Sequence, residues 1–130
     1  MARDQKGDNT VKGIYVAGRY AELLSNGSKV AETRSRDMLR KLVGERVGII
    51  REGKLIGMVT ITGKGFVRTD DFGSYRWAHL VEPGSKYDTT GRGKWLYWVA
   101  DPEPVEPKKI NVTVNHGRAW CEYDIRKEGR

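Results

Sequence analysis

Apolar and polar positions along this chain change period several times, and the changes mark its elements. Val11 to Ala17 (VKGIYVA) is a short apolar run that predicts a strand. From Arg19 to Asn26 the period becomes helical: Tyr20, Leu23 and Leu24 fall at i, i+3 and i+4, one face of a helix. Asn26-Gly27 closes it, because Gly27 takes the left-handed backbone that ends a helix without steric cost. Lys29 to Arg34 (KVAETR) reads as a second strand, and residues 35–44 as a charged connector with a helical turn from Asp37 to Leu42. Arg46 to Arg51 and Lys54 to Thr62 are strands, with Glu52-Gly53 as a two-residue hairpin turn between them.

Residues 63–93 show no regular period and are rich in Gly, Asp, Ser and Thr. They are expected to form an irregular insert with one short helix from Ser74 to Val81, capped by Ser74 and ended at Pro83-Gly84. Lys94 to Ala100 (KWLYWVA) is apolar at successive positions, as in a strand covered on both faces. Asp101 to Pro107 (DPEPVEP) holds three of the four prolines and predicts an extended connector. A last hairpin pairs Ile110 to Asn115 with Arg118 to Ile125 around His116-Gly117. In its second strand Ala119, Cys121, Tyr123 and Ile125 share one face and Trp120, Glu122 and Asp124 the other. Trp95, Tyr97, Trp98 and Trp120 are assigned to the core.

These elements predict a mainly β chain with one or two short helices, an α+β fold rolled into a small closed or partly open β-barrel. Closure also removes the exposed strand edges that a sheet rich in branched residues must manage. Residues 1–10 read as a flexible tail, 11–125 as a single domain and 126–130 as a charged tail. Val and Ile outnumber Ala and Leu, and Gly accounts for 16 of 130 residues, above the usual ~7%. Both features suit strands joined by tight turns.

Charge narrows the partner class. The chain carries 24 Lys and Arg against 17 Asp and Glu, a net charge of +7, and its isoelectric point is about 9.6. Such a balance favours a polyanion, with nucleic acid ahead of a membrane surface. Lys29 to Lys54 alone holds eight basic side chains against four acidic ones. No apolar run reaches the ~18–20 residues of a membrane helix, and the first ten residues lack the apolar stretch of a signal peptide. One cysteine, Cys121, leaves no internal disulfide, and the expected setting is reducing and cytoplasmic. His79 and His116 lie far apart in sequence, so no metal site or cofactor is expected.

The stretch Arg19 to Arg34, RYAELLSNGSKVAETR, resembles the signature of the ASCH domain, a PUA-like β-barrel family. The family pattern is a helix ending in glycine, then Gly-x-Lys-x-x-Glu-x-Arg on the next strand. Here those positions are Gly27, Lys29, Glu32 and Arg34. Gly44 to Ile49, Leu55 to Ile61, Lys94 to Ala100 and Gly117 to Trp120 are similar to later family features in the same order. The resemblance spans roughly residues 12–125, with Gly27 to Arg34 its specific part. It implies a cleft beside the first helix, with relatives that bind RNA, cleave RNA, or remove the acetyl group of N4-acetylcytidine. That amidohydrolase uses Gly-x-Lys-x-x-Thr. Here Glu32 stands at the Thr position, and Thr33, one residue on, faces the other way on a strand.

The residues themselves support matching chemistry. Lys29 suits phosphate contact or carbonyl polarisation when charged, and proton abstraction when desolvated. Glu32 accepts from the amino group of cytosine or adenine, or serves as a base toward water. Lys29 and Glu32 are thus the candidate catalytic pair. Arg34 and Arg36 suit phosphate, or for Arg34 the orientation of Glu32. Tyr75, Arg76 and Trp77 alternate ring and cation, as in stacking on unpaired bases. The expected partner is RNA, another single-stranded nucleic acid or a nucleotide. Hydrolysis of a modified nucleoside or of RNA is the first alternative, and an accessory protein-interaction module the second. The sequence sets no oligomeric state.

Overall fold

A computed structural model describes residues 11–89 and 91–126. The tail predicted for residues 1–10, and all but Arg126 of the tail predicted for residues 126–130, lie outside the described residues. The elements run β1 (Val11–Tyr15), α1 (Gly18–Ser25), β2 (Ala31–Arg34), a 3-10 turn (Arg40–Leu42), β3 (Arg46–Arg51), β4 (Lys54–Arg68), α2 (Thr69–Phe72), a 3-10 turn (Gly73–Tyr75), α3 (Arg76–His79), β5 (Gly93–His116) and β6 (Trp120–Ile125).

The six strands form one sheet in the order β2-β5-β4-β3-β1-β6, and β5 pairs again with β6. Five strands therefore close into a ring, with β2 attached to β5 outside it. Only β1 and β3 run parallel; the remaining pairs are antiparallel. Glu52 and Gly53 both have positive φ, 52° and 78°, as the tight β3–β4 hairpin requires.

Three sequence expectations need correction. β4 continues to Arg68, six residues past Thr62. Gly63 and Gly65 carry no side chain to show the alternation, yet both pair with β5, opposite Trp98 and Leu96. The helical part of the insert begins at Thr69, and its last helix ends at His79 where Leu80 turns left-handed (φ 59°). Ser74 caps nothing. The DPEPVEP segment is part of β5 rather than a connector: Glu103 and Pro104 pair with Met58 and Gly57. Asp101 takes φ 53°, and the pairing shifts register between Leu55 and Gly57 and between Met58 and Thr60, irregularities of the kind at which a strand admits proline.

The interior of the ring holds Ile14, Val47, Ile49, Val59, Ile61 and Tyr97, covered by Leu24 of α1. The buried stripe of α1 is Ala21, Leu24 and Ser25, while Tyr20 and Leu23 are half-buried at its flank. Tyr97 is fully buried, and its hydroxyl donates to Asp37 Oδ1 at 2.7 Å. Trp120 is buried too, stacked on His116 at 3.7 Å. Trp95 and Trp98, assigned to the core by sequence, are half-buried on opposite faces of β5. Trp95 packs on the ring interior, and Trp98 joins Phe72, Ala78 and Leu96 in a second cluster under the short helices.

Candidate functional site

The end of α1 fixes where Lys29 starts. Gly27 turns left-handed at φ 87°, and Asn26 Oδ1 accepts from the Ser28 amide at 2.8 Å. The Lys29 amide donates back to Leu23 O at 2.9 Å, and the Val30 amide donates to Ala78 O of α3 at 2.9 Å. Lys29 is thus pinned between two helices before β2 begins, not on the strand as its sequence suggested.

Its side chain is 1% exposed. The ammonium donates to the carbonyl of His79, stands 4.9 Å from the Tyr20 ring centroid and lies 3.9 Å from Glu32 Oε1. Burial pulls its pKa down to about 8; the Glu32 carboxylate opposes that shift and the Arg34 charge adds to it. Glu32 is held from the other side. Arg34 Nε donates to Glu32 Oε2 at 3.0 Å, and Arg34 Nη2 bonds the Tyr15 carbonyl at 2.6 Å. The fork leaves Oε1 directed toward Lys29.

These groups line one cavity of about 290 Å³. Lys29, Glu32 and Arg34 meet there with Tyr15, Tyr20 and Lys94. Tyr87 also borders it, edge-on to Tyr20 at 5.5 Å. Lys94 is buried, and loss of water lowers its pKa, opposed by the charges of Asp88 and Glu32. Three cationic side chains therefore face one carboxylate among three tyrosine rings. Thr33 borders the cavity as well.

The other predicted site residues lie elsewhere. Arg36 is exposed and lines an adjoining groove. Arg76 pairs with Glu82 at 2.9 Å. Tyr75 meets Trp98 edge-on at 6.0 Å, and Trp77, 65% exposed, lies 5.9 Å from the same ring. None of Tyr75, Arg76 and Trp77 lines the cavity. Sequence reasoning missed Tyr15, Tyr20, Tyr87 and Lys94. One signal was present: Lys94 is a charge opening an otherwise apolar strand. Among the described residues no group of three or more His, Cys, Asp or Glu is placed to hold a metal ion, and no helix is long and apolar enough to cross a membrane.

The ring of strands with helix α1 packed against it has the ASCH fold. Its likeness is to the crystal structure of ASCH from Zymomonas mobilis, at a TM-score of 0.65 and 17% identity over 77% of this chain and 73% of that one. Two single-substitution mutants of the Zymomonas protein match at TM-scores of 0.66 and 0.65. The first is 16% identical and covers 75% of this chain and 74% of that one; the second is 17% identical and covers 75% and 72%. No protein-family model matches the sequence, and no curated protein matches it.

Proposed function

We propose that this protein binds single-stranded nucleic acid, RNA first, by taking one base or nucleotide into the cavity. The observation that carries this reading is the 3.9 Å separation of the Lys29 ammonium and Glu32 Oε1 on one cavity wall. A donor beside an acceptor at that spacing complements a base edge. Glu32 accepts from the amino group of cytosine or adenine while Lys29 donates to the neighbouring ring nitrogen or carbonyl. Tyr20 and Tyr87 supply ring faces or edges for the base, and Arg34 and Lys94 balance a phosphate. The volume, about 290 Å³, suits a base-sized guest, lying just below the roughly 300–1,000 Å³ usual for ligand sites. Net charge of +7 supports a polyanionic partner.

Fluorescence anisotropy with a labelled mixed-sequence oligoribonucleotide over a salt series tests this. Binding that weakens at least tenfold in Lys29→Met and in Glu32→Gln is expected. No binding, or affinity unchanged in both variants, contradicts it.

A second reading is favoured by one observation, the lowering of the Lys29 pKa to about 8. About a tenth of the side chain is then neutral at pH 7 and able to act as a base. In hydrolysis of an acylated nucleoside, Lys29 takes a proton from water as the water oxygen adds to the acyl carbon. The bond to the exocyclic nitrogen then breaks, and that nitrogen leaves with the proton. Release of acetate from N4-acetylcytidine, lost in Lys29→Met, separates this reading from binding alone.

A further inference from the structure

The cavity adjoins two grooves with which it shares lining residues. On one side it shares Ser35 and Lys94 with a groove of about 410 Å³ that Arg36, Asp37, Phe66, Arg92 and Trp95 line. On the other it shares Tyr15, Val16, Ala17 and Tyr87 with a groove of about 650 Å³ that reaches Arg51, Glu52 and Arg118. The two grooves share no lining residue with each other, so they adjoin the cavity at different parts of its wall.

The first groove is cationic. Arg36 and Arg92 are exposed in the first, and its one carboxylate, Asp37, is already engaged by Lys64 and by the Tyr97 hydroxyl. In the second, Arg51 is paired with Glu22 and exposed Arg118 stands beside Glu52. The first also presents a ring: Phe66 is 42% exposed and edge-on to Trp95 at 5.6 Å. Cations spaced along a path with rings between them match a single strand, whose phosphates repeat and whose bases stack. A cavity of about 290 Å³ holds one base-sized group and little more. The phosphates on either side of that base must lie outside the cavity, and the two adjoining grooves are the surfaces next to it.

We infer that the ligand is an internal nucleotide of a single strand that crosses the cavity mouth, with a neighbouring nucleotide in each groove. The inference rests on the nucleotide reading of the cavity and adds that a free nucleotide is a partial ligand.

Binding of cytidine monophosphate and of a mixed-sequence nonaribonucleotide, measured side by side, tests it. The variants are Arg36→Ala/Arg92→Ala, Arg51→Ala/Arg118→Ala and Lys29→Met. The nonamer is expected to bind at least tenfold more tightly than the mononucleotide. Each arginine pair should erode that advantage and lower the salt slope by about 0.7 for every phosphate that is no longer neutralised, with a smaller effect on the mononucleotide, whose single phosphate reaches at most one groove. Lys29→Met should weaken both ligands. Arg51 also bonds the Gly18 carbonyl and pairs with Glu22. If its loss lowers the melting temperature, Arg118→Ala alone takes the place of that pair. Equal affinity for the two ligands, or arginine variants without effect, overturns the channel and leaves the cavity reading standing. A nonamer that binds without regard to Lys29, or no binding of either ligand, overturns the cavity reading and the channel with it.

Discussion

Lys29 Nζ and Glu32 Oε1 stand 3.9 Å apart although residues three apart on a regular strand point to opposite faces. They converge because only Glu32 belongs to β2. Lys29 leaves the capped end of α1, where its amide is still bonded to Leu23 O, and its side chain enters the cavity from the helix side. The cap, not the strand, brings the pair together.

Lys29 costs the fold stability. Its pKa, lowered from 10.5 to about 8 by burial, means that the folded state resists the charge. The penalty is absent above pH 10.5, grows as pH falls toward 8, and reaches about 3 kcal/mol below it. Lys29→Met should therefore lose ligand binding while its stability, relative to the native chain, rises as pH falls from 10.5 to 8. Urea midpoints of the two proteins across that range check the sign.

Arg34 serves the site by holding Glu32 and by adding positive charge near Lys29. Arg34→Gln should cost about 1–3 kcal/mol, because the Tyr15 carbonyl and Glu32 Oε2 lose a partner. It should also raise the pKa of Lys29, since the Arg34 charge is one of the causes that lower it. An NMR titration of the Lys29 side chain reads that rise, which loss of packing alone would not produce.

His79 links the short helices to the site through its carbonyl, which accepts from Lys29. Its ring Nδ1 accepts from the Val81 amide at 2.9 Å, which leaves Nε2 to donate to Phe72 O at 2.9 Å. Burial lowers its pKa; the Phe72 carbonyl opposes the shift, and the Lys29 charge adds to it. The unfolded chain therefore takes up this proton first as pH falls, and stability should decline below about pH 6.5. Denaturation midpoints between pH 7 and 5 check the sign, and the fall should be smaller in His79→Gln.

Gly57 lies where α1 meets β4. A Cβ there would stand 2.4 Å from Ser25 Cβ and 3.2 Å from the Glu103 carbonyl oxygen. Gly57→Ala should destabilise by about 1–3 kcal/mol and weaken ligand binding, because α1 must move and it carries Tyr20. Thermal melting and anisotropy check the two effects separately.

The fold was legible in the sequence wherever side chains record the period. Val47, Ile49 and Ile50 mark β3, and the Asn26-Gly27 stop marks the end of α1. It was hidden where they do not: Gly63 and Gly65 in β4, and Pro102, Pro104 and Pro107 in β5, lie within strands while showing no strand signal. The site was half legible. Lys29, Glu32 and Arg34 lie close in sequence, and all three line the cavity. Tyr15, Tyr87 and Lys94 arrive from other elements, a placement that only tertiary structure sets. Tyr20 fits the apolar stripe of α1 by its spacing, yet the buried stripe turns by one residue and its ring faces the cavity.

The most direct measurement is the side-chain NMR signal of Lys29, followed as an oligoribonucleotide is added. This signal should move to a new position in step with saturation, and its titration near pH 8 should shift when the cavity is filled. Saturation of the protein with that signal and its titration unchanged would contradict a nucleotide seated beside Lys29, because the strand would then be held somewhere else.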